Sequence, residues 1–354
     1  MTSSEEKLLV NVLYKPESEI LNGIEINDIN FDNLIKLASR HLMLPALFFN
    51  INKKNVSCLF PDDFIEYIKN IYSINKARNT VLLNEAKELS ELLYENNINH
   101  IFLKGTALLL SNIFEDIGER MIGDIDFIIQ HKDEQKVEKV LKKNNYYSPL
   151  TIDLYRISKP KLKHLPRMVN KNKTIAIEPH LELLSPKNRG LFNSKELLND
   201  FKEEIKMIKT PNKPFLFDHC IYALQLEDKG VFNSNYSHRS IYDIYKLDCK
   251  KSLTIKNISK DIFIKHFFLT IAEFKIFDMP IASSLSRNCS YKLFIQLFIQ
   301  LFKFSVHIKN IYVKNVIIIQ LFFNSKLRGR ALTIIRIHYH HKTLLNYIYG
   351  WLKA

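Results

Sequence analysis

HIFLKGTALLLSNIFEDIGERMIGDIDFIIQ, residues 100–130, decides the reading of this chain. A short apolar run, Ile101-Phe102-Leu103, stops at Lys104-Gly105-Thr106. A helix-like segment follows from Ala107 to Phe114, then a polar loop from Glu115 to Arg120. Asp124-Ile125-Asp126 finally runs into Phe127-Ile128-Ile129. A strand that ends in Gly and passes at once into a helix leaves bare backbone N–H groups and a positive helix end at the turn, which suits phosphate. Residues two apart on a strand share a face, so the carboxylates of Asp124 and Asp126 project together. Crowded carboxylates repel unless a cation lies between them. Mg²⁺, a hard ion preferring oxygen, fits that place, with Mn²⁺ the other candidate. A phosphate cradle beside a metal-binding acid pair describes phosphoryl or nucleotidyl transfer.

The stretch resembles the DNA polymerase beta-like nucleotidyltransferase superfamily, whose members carry a Gly-Ser-type turn followed by an Asp-x-Asp strand. Thr106 stands where many of them have Ser. Within the superfamily it is most similar to an uncharacterised bacterial family with a Leu-Lys-Gly-x-Ala and Arg-x-x-x-Asp-x-Asp pattern, matched here by Leu103-Lys104-Gly105-Thr106-Ala107 and by Arg120 through Asp126. The resemblance implies attack by an acceptor on the α-phosphate of a nucleoside triphosphate with loss of pyrophosphate. It implies two Mg²⁺ ions on Asp124 and Asp126, a phosphate cradle at Gly105 and Thr106, and phosphate neutralisation by Lys104 and Arg120. A third carboxylate is expected from a later strand, where Glu178-Pro179-His180 matches an acid-x-His pattern. Pro179 departs from the pattern and removes a ladder donor, so this strand should lie at an edge or end there. Glu178 is thus the expected third metal ligand and proton acceptor, with Glu182 in reserve.

Each of these residues also has a plainer reading. Lys104 equally suits a surface lysine at a strand end, and Arg120 could pair with Asp124 or Glu119 to hold the loop. His180 reads as a hydrogen-bonded structural histidine, and Asp243 as a structural partner of Arg239 or the core.

The chain has 354 residues, room for two or three domains, and a composition of 46% hydrophobic and 25% charged residues that is ordinary for globular proteins. A net charge of +14 fits an anionic partner such as a nucleotide, nucleic acid or membrane surface, or simply a lysine-rich solvated surface. Cys58, Cys220, Cys249 and Cys289 lie too far apart for a zinc ribbon or a disulfide framework, so a reducing cytoplasm is expected. The first residues do not read as a signal peptide, and the apolar runs at Tyr291–Phe304 and Val313–Phe323 are too broken or short to span a bilayer.

The pattern predicts an α+β protein: an N-terminal helical region (1–74), a nucleotidyltransferase core with a small mixed sheet (75–185) and a C-terminal helical domain (186–354). Phe31–Ile51 reads as helical, with Pro45 breaking or kinking it. A long helix should start at Pro61-Asp62-Asp63, reach Glu95 and pack on the sheet. Lys163–Val169 and Thr174–Leu184 read as a hairpin, and Ser194–Ile208, Pro214–Glu227 and Tyr236–Lys246 as helices.

Two other readings compete: a non-catalytic nucleotide-binding or regulatory module on the same fold, and a basic RNA- or membrane-interaction protein. The second would rest on Lys326-Leu327-Arg328-Gly329-Arg330 and Trp351, which no RNA-binding signature accompanies. His338-Tyr339-His340-His341 reads as a surface cluster, because adjacent histidines on a helix point apart.

Overall fold

A computed structural model describes residues 3–148, 162–185, 201–205, 207–228, 236–247 and 261–276, with single positions at 188, 192, 194, 197 and 230. These residues fall in one compact unit that joins Met1–Pro149 to Lys161–Lys292. The apolar runs after Tyr291, the histidine cluster at 338–341 and the basic segment at 326–330 lie outside the described residues. Among the described residues, no single helix is long and apolar enough to cross a membrane.

Helices lead in. In α1 (Ser4–Tyr14) the Ser3 side chain accepts from the Glu6 N–H, and Leu8, Leu9, Val12 and Leu13 are buried. The Phe31–Ile51 stretch divides into α2 (Phe31–Arg40) and α3 (Leu44–Lys53). The break falls at Leu42, which is left-handed (φ 58°). Pro45 lies in the first turn of α3, where its missing N–H leaves no bond unmade. α4 (Asp62–Glu95) runs 34 residues from an acidic first turn, as its sequence indicates. Its buried face is not purely apolar: Asn75 and Asn79 sit between Ile68 and Leu82.

β1 (His100–Phe102), α5 (Lys104–Leu110) and β2 (Asp124–Ile129) follow, then α6 (Glu134–Lys143), the short β3 (Tyr146–Tyr147) and β4 (Val169–Asn170), and β5 (Ala176–His180). The central sheet has the order β1-β2-β5, antiparallel between the first pair and parallel between the second. It is therefore mixed, as the sequence indicates. Ile101, Leu103 and Ile128 are fully buried with Leu183 and Leu197, and Phe192 and Phe215 pack against them. Each such side chain contributes about 1.5–3 kcal/mol when fully removed from water.

β5 is the edge strand expected from Pro179. The Pro179 carbonyl accepts from the Leu165 N–H (2.8 Å), so the ring nitrogen also faces outward, away from β2. The missing donor thus falls on the side where residues 164–168 meet β5 only through the isolated pairs His164–His180 and Met168–Ile177. The hairpin expected here is consequently loose, and Val169-Asn170 pairs instead with β3.

The helix expected over Ser194–Ile208 is not formed at its C-terminal end. β6 (Phe201–Ile205) and β7 (Ile208–Pro211) make an antiparallel pair, turned at Met207 (φ 75°). Burial explains it: Ile208 and Thr210 face inward while Lys209 faces out, a period of two. The Thr210 hydroxyl is fixed by Ser111 at 3.0 Å. α7 (Lys213–Tyr222) passes into a π-helical turn at Ala223–Glu227, and α8 (His238–Lys246) and α9 (Ile262–Thr270) complete the described part.

Candidate active site

The corner between β1 and α5 is made by Lys104 in left-handed conformation, φ 50°. For an L-residue that conformation costs about 1–2 kcal/mol. The chain reverses sharply, and the Ala107 N–H already donates to the Leu103 carbonyl at 3.1 Å. The sequence pointed to Gly105 as the turn residue, but Gly105 is needed for space. A Cβ there would lie 3.0 Å from Ile122 Cγ1 and 3.2 Å from its Cδ1. Thr106 is fully buried, and its hydroxyl donates to the Asp124 carbonyl at 3.2 Å.

Parallel pairing of β2 with β5 puts Glu178 directly opposite Asp126. His180 Nε2 lies 2.8 Å from Asp126 Oδ1 and 3.1 Å from Glu178 Oε2. One ligand atom from each of Asp126, Glu178 and His180 falls within 4.8 Å of the other two. Glu182, the reserve, lies past the end of β5 and is engaged elsewhere, 2.9 Å from His131 Nε2 and accepting from the Ser194 hydroxyl at 2.9 Å. His180, read from the sequence as a hydrogen-bonded structural histidine, does bond to Asp126 and Glu178, and its Nε2 also offers the cluster a ligand atom. Its place at two residues from Glu178 on one strand was the available signal.

Lys104 Nζ sits between the acids, 2.8 Å from Asp126 Oδ1 and 3.7 Å from Glu178 Oε2. Asp124 is more open and meets Arg167 Nε at 3.4 Å. Burial, then the charges of Asp126 and Glu178, push the Asp124 carboxyl above its usual range. Burial pushes Asp126 up too, but the hydrogen bond from His180 and the Lys104 charge outweigh it and hold Asp126 well below the carboxylate range. Two carboxylates, an imidazole nitrogen and a crowded third carboxylate form a donor set that fits a divalent ion taking oxygen and nitrogen ligands.

Asp124 and Asp126 open onto a cleft of about 280 Å³. One wall is the Lys104–Gly105 corner with residues 120–124, and the other comes from His219 to Asp228 and Arg239 to Asp243. Arg120 lines the cleft but pairs with neither Asp124 nor Glu119. Its Nε and second terminal nitrogen donate to the two oxygens of Asp243 at 2.6 and 2.8 Å, and its other terminal nitrogen donates to the Met121 carbonyl. Asp243 is thereby the partner of Arg120. Glu119 is buried and accepts from the Tyr242 hydroxyl (2.6 Å), with Lys246 Nζ at 2.9 Å.

The loop carrying Arg120 hangs from α4. The Asn75 amide donates to the carbonyls of Gly118 (2.8 Å) and Arg120 (3.2 Å), and that of Asn79 to Ile117 (2.6 Å) and Arg120 (2.7 Å). Arg78 donates to the carbonyls of Ile122 and Gly123. Glu85, two turns on, accepts from the N–H groups of Thr174 and Ile175 just before β5. One helix therefore sets both the loop and the start of the edge strand. Only the polar gap in its apolar stripe, at helical spacing, announced this.

A family model described as an uncharacterised nucleotidyltransferase matches residues 27–251, well over half of the chain. No curated protein matches it. The matched span contains the corner, the acid strand, the edge strand and both cleft walls, and the chain belongs to this uncharacterised nucleotidyltransferase family.

Proposed function

We propose that the chain moves a nucleoside monophosphate from a nucleoside triphosphate to an acceptor hydroxyl, in the manner of the polymerase beta-like enzymes, with Mg²⁺ held by Asp126, Glu178 and Asp124. The observation that supports this most directly is the register of Asp126 with Glu178 across parallel strands, beside the Lys104–Gly105 corner. Acceptor oxygen and α-phosphorus form the new bond. The bond between the α-phosphorus and the bridging oxygen to the β-phosphate breaks, and pyrophosphate carries off the electron pair. Bound divalent ions supply Lewis-acid stabilisation of the charge on the entering and leaving oxygens.

The protein's own groups do the rest. Glu178, flanked by His164 at 3.3 Å and His180 at 3.1 Å, takes the acceptor's proton. Gly105, which lines the cleft, lets the corner pack against Ile122 and offers its backbone to a phosphate. Thr106 acts indirectly, tying the corner to the acid strand through the Asp124 carbonyl. Lys104 and the cleft cations offset phosphate charge, so positioning and electrostatics carry most of the rate.

The test uses each nucleoside triphosphate labelled at the α-phosphate, Mg²⁺ and cell extract as the source of acceptor. Label transfer with matching pyrophosphate release, abolished by Asp126→Asn and by Glu178→Gln, is the expected result. No transfer with any of the four triphosphates, in Mg²⁺ or Mn²⁺, would overturn it.

A further inference from the structure

Lys104, Arg120, Lys163 and Arg239 are the cations that line the cleft. Lys104 is bound to Asp126, Arg120 is held by Asp243 and the Met121 carbonyl, and Lys163 lies 3.4 Å from Glu227. Arg239 differs: it makes no ion pair or hydrogen bond with any described residue. Asp228, also on the cleft wall, likewise has no side-chain hydrogen bond or ion pair with any described residue, and the two charges influence each other.

The surroundings of Arg239 favour an anion. It is the second residue of α8, a helix of nine residues whose first turn also brings Ser240 to the cleft. A helix N-terminus adds positive potential there. Burial, then the neighbouring charge of Arg120, pull the Arg239 guanidinium below its usual value. A half-buried guanidinium crowded by a second one gains strongly from a polyanion that can accept from its planar edge.

Asp124 and Asp126 line the cleft beside the Lys104 corner, and Arg239 lines it from α8. With the α-phosphate at the acids, the remainder of a triphosphate would extend toward α8.

We propose that Arg239 binds the β- and γ-phosphates of the nucleoside triphosphate, supplying the phosphate neutralisation that the resemblance implied for Arg120. The assignment rests on the nucleotidyltransferase reading above. It separates two arginines on one cleft: Arg120 fixes the loop to α8, and Arg239 takes the ligand.

Calorimetric titration of the full chain with Mg²⁺ and three probes tests it: a nucleoside triphosphate, the corresponding monophosphate and inorganic tripolyphosphate. Arg239→Gln should weaken the triphosphate and tripolyphosphate by roughly 10- to 100-fold, the usual worth of a charge-assisted bond, and leave the monophosphate within about twofold. Arg239→Lys should recover part of the loss, and thermal melts of both variants establish that they fold. Unchanged triphosphate affinity in Arg239→Gln, or an equal loss for all three probes, would overturn the assignment while leaving the transfer reaction standing. Tripolyphosphate binding that depends on Arg239 in a protein that releases no pyrophosphate would support the anion site and count against the reaction instead. A wild-type chain that binds neither triphosphate nor tripolyphosphate overturns both.

Discussion

Lys104 reaches from a left-handed corner to Asp126, its Nζ 2.8 Å from Oδ1, and so places a positive charge among the clustered acids. The side chain that the sequence pattern aimed at phosphate serves the carboxylates in this state. A divalent ion and this ammonium would compete for the same oxygens.

Lys104→Gln should therefore change how the fold responds to metal. In chelator the variant should lose about 1–2 kcal/mol, since among the described residues the Asp126 carboxylate keeps only His180 as a hydrogen-bond partner. Added Mg²⁺ should then raise its melting temperature more than it raises that of the wild type. Equal Mg²⁺ shifts in the two proteins would show that the ammonium does not occupy the metal's place.

Arg120 and Asp243 form a two-pronged, buried pair. Removing one partner strands the other charge, so Arg120→Met or Asp243→Leu alone should cost about 3–5 kcal/mol in urea unfolding. The double replacement should recover most of that loss. Additive losses would mean that the pair is not coupled.

Asn79 is fully buried and its amide serves two loop carbonyls. Asn79→Ala leaves both without that donor and should cost about 1–3 kcal/mol. Amide exchange should accelerate at residues 116–123 well before it does in β1 or β2. Uniform acceleration across the sheet would point to global weakening instead.

Burial holds His100 neutral, with its pKa pushed down to about 4. In the unfolded chain it titrates near 6.5. Between those values the unfolded state binds a proton that the folded state refuses. The contribution is therefore intact above about pH 6.5 and is lost as pH falls toward 4. Fully expressed, the difference is on the order of 3 kcal/mol. His100→Gln, which can still reach Ser90, should flatten the stability profile in that window. An unaltered slope would exclude His100 as its source.

The parts of this fold legible in the sequence are those governed by local rules. Asp124–Ile129 opens with acids at alternate positions and runs on into apolar residues, α4 declares its start at Pro61-Asp62-Asp63, and Pro179 marks the edge strand. What stayed hidden depends on distant partners. Arg120 and Asp243 are 123 residues apart, and no spacing rule connects them. The β6–β7 pair looks helical in composition until Ile208 and Thr210 find a surface to face. His180 needed the register of β5 against β2 before its nitrogen could be placed between two carboxylates. That Gly105 clears Ile122 while Lys104 takes the left-handed corner is something only the packed loop reveals.

Glu178 and His180 ride on the outermost strand, 52 to 54 positions after the aspartate they meet. A chain still being synthesised holds β1, α5 and β2 in order long before β5 emerges. Parallel pairing over that distance is slow relative to a hairpin. Until it happens the growing polypeptide has a lysine and two aspartates without the glutamate and histidine that join them, so the cluster is timed to the arrival of the last strand rather than to the first appearance of the motif.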